Sequence, residues 1–185
     1  MSRLVPAHTV LLVVDVQEKL AAAMPTARMD VLTRNAGILI EASAILGVRI
    51  VASEQYPKGL GATIAPVAEK LRAAGVSPHP KMTFDACGDP AIARLVATMA
   101  PRSVVVIGME THVCAFQTAR ELARRGIDVH VVADAVASRT EENRAAGLSL
   151  CERAGATVTV TETVVFDWLE RAGTDAFKAV SKLVR

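Results

Sequence analysis

The chain has 185 residues and carries Lys+Arg 21 against Asp+Glu 19, a formal net charge of +2. Basic and acidic side chains are interspersed, so neither nucleic acid nor an anionic membrane is expected as a partner. Hydrophobic residues make up 51% and aromatic ones only 3%, a balance that suits aliphatic strands covered by helices on both faces.

In chain order, residues 9–14 (TVLLVV) form a near-continuous apolar run that predicts a strand buried on both sides and ending at Asp15. Val31, Leu32, Ile38, Leu39, Ala42, Ile45 and Leu46 recur at helical spacing until Gly47 supplies a stop. Residues 48–52 predict a second strand, and SEQYPKGLGAT then reads as a loop with turn residues Pro57, Gly59 and Gly61. A short helix is expected over 66–74. Residues 76–80 make a poor third strand, broken by Pro78 and Pro80 and followed by Lys81. Asp89 is placed to cap a helix that has Pro90 at its first position and runs to about residue 100.

The run SVVVI at 103–107 predicts a fourth strand, broken by Gly108, with a helix over 111–126. A fifth strand is expected at 127–133 before Asp134, a helix at 141–154 and a sixth strand at 157–161. Two helices are expected in the tail from 163 to 185. Strand and helix alternate without linker or repeat, which argues a single-domain, three-layer αβα fold around a doubly wound parallel sheet. Neither GxGxxG after the first strand nor GxxxxGK[ST] is present, so no nucleotide cofactor is expected.

No apolar run approaches the roughly twenty residues of a membrane span. The opening MSRLVPAHTV lacks the apolar core of a signal peptide. Three cysteines, Cys87, Cys114 and Cys151, are sparse and odd in number. That argues against a disulfide framework and for a reducing, cytoplasmic compartment.

Cys114 falls in the first turn of a helix leaving the carboxyl end of a strand, which is where open parallel sheets keep their ligands. Free N–H groups and the positive helix end favour a thiolate there. Asp15 closes the first strand and Lys81 follows the third. The first and fourth strands of such a sheet flank the point where strand order reverses, so their ends open onto one crevice. A carboxylate, an ammonium and a thiol meeting there have complementary work. Asp15 exchanges the thiol proton, Lys81 holds Asp15 ionised by Coulomb attraction, and Cys114 attacks a carbonyl to form an acyl-enzyme.

The blocks LLVVDVQ, PKMTF and VVIGMETHVCAFQTA, with GIDVHVVADAVASR after them, resemble the isochorismatase-like superfamily of cysteine hydrolases, over about residues 9–161. The resemblance implies a six-stranded parallel sheet of order 3-2-1-4-5-6 and an Asp–Lys–Cys triad on Asp15, Lys81 and Cys114. It also implies a cis peptide between Met109 and Glu110 that aims the amides of Glu110 and Cys114 at an oxyanion. Metal-dependent nicotinamidases of the superfamily carry Asp and His after the second strand. Residues 53–63 here hold Glu54 and Gln55 but no Asp or His, so no catalytic metal is expected and nicotinamide is disfavoured. The expected activity is hydrolysis of an amide or carbamoyl C–N bond in a small-molecule substrate. Two alternatives stay open: vinyl ether hydrolysis with Asp15 and Lys81 alone, and a non-catalytic interaction protein that keeps the fold.

Gln17, Gln55, Tyr56 and Phe84 lie just past the strand ends and are candidates for the substrate pocket. His112 is two residues from Cys114 and so does not face it on a helix; a metal pair with His79 is equally disfavoured. His130 reads as a core or interface residue and Asp134 as a turn residue. Cys87 and Cys151 read as structural or exposed thiols. Trp168, Phe166 and Leu169 suggest an apolar patch for a homo-oligomer, a dimer or tetramer.

Overall fold

A computed structural model describes residues 3–184; what was expected of Met1, Ser2 and Arg185 lies outside the described residues. Among the described residues, strands β1 (Thr9–Val14), β2 (Arg49–Gln55), β3 (His79–Lys81), β4 (Ser103–Met109), β5 (Asp128–Ala137) and β6 (Thr157–Thr159) form one sheet. Every adjacent pair is parallel, in the order β3-β2-β1-β4-β5-β6.

Residue parity divides the core into two layers. Leu11 and Val13 of β1, with Val105 and Ile107 of β4, face α2 (Thr26–Leu46) and α8 (Thr161–Leu169). Val10, Leu12, Val104 and Val106 face the other way, onto α5 (Pro90–Met99), α6 (Phe116–Arg124) and α7 (Glu141–Arg153). All six residues of β1 are buried, as expected of a central strand covered twice. Asp89 accepts hydrogen bonds from the N–H groups of Ala91 and Ile92, the expected cap of α5.

Several boundaries differ from expectation. Strand β2 runs on to Gln55, taking the first residues of the expected loop, and α3 (Pro57–Leu60) forms behind them, followed by α4 (Ala65–Ala73). Lys81 is the last residue of β3 rather than the residue after it, because Ser53 to Gln55 pair with His79 to Lys81. The expected helix at 111–126 opens as a wide π-type turn, Thr111–Ala115, before α6. Helix α1 (Glu18–Ala22) had no counterpart in the expected elements. The tail places Trp168 and Leu169 at 3% and 7% exposure against the α2 layer. This corrects the expected surface patch: of its three residues only Phe166 is exposed, tilted against Phe177 at 6.4 Å.

Candidate active site

At the end of β1 the backbone turns at Asp15, which sits at φ 52°. Its N–H donates to the carbonyl of Ser53 at 3.1 Å, and its own carbonyl accepts from Gln17 N–H at 2.8 Å. Gly108 brings β4 against this corner. It has φ 117° at a register shift, and a Cβ there would lie 1.9 Å from the carbonyl oxygen of Val14. Only glycine allows that approach, which sets the ends of β1 and β4 side by side.

The side chains of Lys81 and Asp15 are both fully buried, with Lys81 Nζ 2.7 Å from Asp15 Oδ2. Nζ also meets Gln55 Oε1 at 2.8 Å and the carbonyls of Thr83 and Phe84 at 3.0 and 3.2 Å. A buried charge is costly unless paired and fully hydrogen-bonded, and this ammonium is both. Ser53 Oγ donates to the other carboxylate oxygen, Asp15 Oδ1, at 2.7 Å. Sequence reasoning missed Ser53. The signal was the pairing of Val14 with Ser53, one step before Asp15, which only the strand register reveals.

Cys114 lies in the π-type turn, 5% exposed. Helix α7 seats directly on this turn at Gly147, where a Cβ would come within 2.6 Å of the His112 nitrogen. Burial pushes the Cys114 thiol up to about 12, the Asp15 carboxylate adds to the rise, and Lys81 pulls the other way. This shift runs against the thiolate that the helix end was expected to favour. Exclusion of water works against the charged sulfur there.

The peptide bond between Met109 and Glu110 is cis. The carbonyl of Glu110 accepts from the N–H groups of Val113 and Ala115 at 3.0 and 3.2 Å, tying the strand end to the turn that carries Cys114. The Glu110 carboxylate accepts from the backbone N–H and Nε of Arg139, both at 3.1 Å.

A family profile described as Isochorismatase domain matches residues 9–163. The chain belongs to the isochorismatase family. The secreted isochorismatase effector Isc1 of Phytophthora sojae is 36% identical over 188 residues, spanning 100% of this chain and 88% of that protein. A solved structure described as the MAR1 ribonuclease of Caenorhabditis elegans shares 34% identity at TM-score 0.87, covering 99% of this chain and 92% of that one. YcaC of Escherichia coli, described as an octameric hydrolase of unknown specificity, has TM-score 0.88 at 17% identity, covering 99% and 91%. That last likeness shows the shared fold alone.

The other candidate residues of this isochorismatase chain divide into buried braces and exposed rim. Gln17 is fully buried. Its Nε2 donates to the carbonyls of Gln55 and Gly61 at 3.0 and 2.7 Å, and its Oε1 accepts from Gln55 N–H at 2.7 Å. Gln55 spends its side chain on Lys81 and on the carbonyl of Met82. Both therefore brace the corner rather than face solvent. Tyr56 and Phe84 are exposed, as is Met82. Glu54 Oε1 accepts from Thr63 N–H and Oγ1, both at 2.7 Å. Among the described residues no group of three or more His, Cys, Asp or Glu side chains is arranged to hold a metal ion.

His112 Nδ1 lies 3.0 Å from Ser138 Oγ. His79 opens β3. Asp134 Oδ1 accepts from the N–H and hydroxyl of Thr161, both at 2.8 Å, fixing the start of α8. Cys87 and Cys151 are free and buried, with thiols pushed by burial to about 11 and about 12. Among the described residues no helix is long and apolar enough to cross a membrane.

Proposed function

We propose that this isochorismatase-family protein is a cysteine hydrolase that cleaves an amide or carbamoyl C–N bond of a small molecule through an acyl-enzyme on Cys114. One observation carries it: the fully buried Asp15 carboxylate is paired with the Lys81 ammonium at 2.7 Å, and its charge acts on the buried Cys114 thiol. Asp15 takes the thiol proton as sulfur attacks the carbonyl carbon. The N–H groups of Glu110 and Cys114 hold the resulting oxyanion. Collapse breaks the C–N bond, and Asp15 returns the proton to the departing nitrogen. Water then attacks the thioester, giving a proton to Asp15, and the acid leaves as the thiol is re-formed.

Lys81 has four acceptors around Nζ, so its role is to neutralise Asp15 rather than to touch substrate. Tyr56 and Phe84 form the outer rim against the non-reacting part of the substrate. Residues 53–63 offer Glu54 as their one carboxylate, already engaged with Thr63, so the reaction runs without a metal. Three free thiols support a reducing, cytoplasmic setting, and assembly as a homo-oligomer completes the reading.

The raised Cys114 thiol favours one second reading, ether hydrolysis using Asp15 and Lys81 alone. Turnover of an amide and carbamate panel, with vinyl ethers and RNA as further arms, separates the two. Under acyl transfer, Cys114→Ala abolishes turnover, Cys87→Ala does not, and a trapped acyl mass maps to Cys114. Retention of activity by Cys114→Ala sinks the acyl-enzyme.

A further inference from the structure

We infer that Ser53 is a positioning residue for this reaction, fixing through Oδ1 the plane in which the Asp15 carboxylate receives the Cys114 proton. The inference rests on the proposed role of Asp15 as base. Rotation of a carboxylate about its terminal bond is broad and poorly restrained by the chain itself. The Lys81 contact to Oδ2 anchors one oxygen and leaves the group free to swing about that point. Lys81 cannot supply the second restraint, because its remaining donors go to Gln55, Thr83 and Phe84.

Ser53 supplies it. Its hydroxyl is 2.7 Å from Oδ1, and the contact is buried. The same residue also holds the Asp15 main chain, accepting from Asp15 N–H at 3.1 Å. Backbone and carboxylate of the base are thus clamped by one neighbour on β2. That neighbour is 2% exposed. Without the hydroxyl, Oδ1 loses its Ser53 partner and the carboxylate is free to rotate about the Lys81 contact. Proton transfer depends steeply on such alignment.

The test uses iodoacetamide on the full chain at neutral pH, with the labelling rate of each cysteine resolved by peptide mass mapping. Ser53→Ala is expected to slow alkylation of Cys114 by roughly tenfold, and Ser53→Thr, which keeps the hydroxyl, to restore it. Cys87 and Cys151 are buried internal controls whose rates stay unchanged. An unaltered Cys114 rate in Ser53→Ala overturns the inference. So does faster labelling of all three cysteines, which makes the hydroxyl a packing group only, and so does a threonine variant as slow as alanine. Asp15→Asn separates the two layers of the argument. If it leaves Cys114 labelling unchanged, the base assignment itself falls; if it slows labelling while Ser53→Ala does not, only the role of Ser53 falls.

Discussion

Two regions of the sheet bury polar side chains and treat them differently. At the carboxyl ends of β1 and β3, the paired Asp15 and Lys81 side chains are both at 0% exposure, and each hydrogen-bonding atom meets a partner. At the edge formed by β5 and β6, the side chain of His130 is 5% exposed, and its Nε2 lies 3.3 Å from Asp128, itself 28% exposed. That nitrogen has no hydrogen bond. An imidazole need not carry a charge and so tolerates loose partnering, whereas a carboxylate and an ammonium in the interior do not. Where charge is fully buried, the surrounding residues are committed to holding it. That commitment of Ser53, Gln55 and two main-chain carbonyls distinguishes the first region, where the proposed chemistry lies, from the second.

The largest effect that would break this contrast is on activity. Cys114→Ala should reduce turnover of a panel substrate by at least about a thousandfold, while Cys151→Ala, also buried, leaves it near wild type. Next comes stability of the charged corner. Lys81→Met removes the cation and leaves the Asp15 carboxylate buried without its charge partner. Chemical denaturation should register a loss of roughly 3–5 kcal/mol.

Alkaline titration probes all three buried thiols. Each has a folded value, about 11 for Cys87 and about 12 for Cys114 and Cys151, above the ordinary 9.0. The unfolded chain therefore binds fewer protons in that window. The thiols' contribution is fully present below 9.0 and is lost as pH rises towards 11 to 12. Denaturation midpoints should fall as pH climbs past 9.0, and a triple Cys→Ala variant should flatten that fall.

At the scaffold end the effects shrink. Asp134→Ala removes the acceptor that fixes the start of α8, costing on the order of 1–2 kcal/mol by thermal or chemical unfolding. Asp128→Asn, at the half-wet histidine contact, should cost under about 1 kcal/mol. A loss there as large as that of Lys81→Met would erase the distinction between the regions.

Much of this was legible along the chain. Apolar runs such as TVLLVV and SVVVI announce strands covered twice, because a strand buried on both faces has no polar side to display. The stop at Gly47 and the cap at Asp89 are local devices, set by a residue's own backbone freedom or reach. Asp15 and Cys114 stood out because each follows a run that local chemistry makes a strand, and Lys81 because it follows the place where a third strand was due.

Contact across strands was not legible, since it depends on register and on side-chain direction after packing. Ser53 became a partner of Asp15 through the pairing of β2 with β1. Gln17 and Gln55, chosen for a pocket, turned inward as braces once the loop folded over them. The protonation of Cys114 depended on how completely neighbouring elements exclude water. Local sequence sets which conformations a segment prefers; the exclusion of solvent and the pairing of distant charges arise only when those segments close on one another.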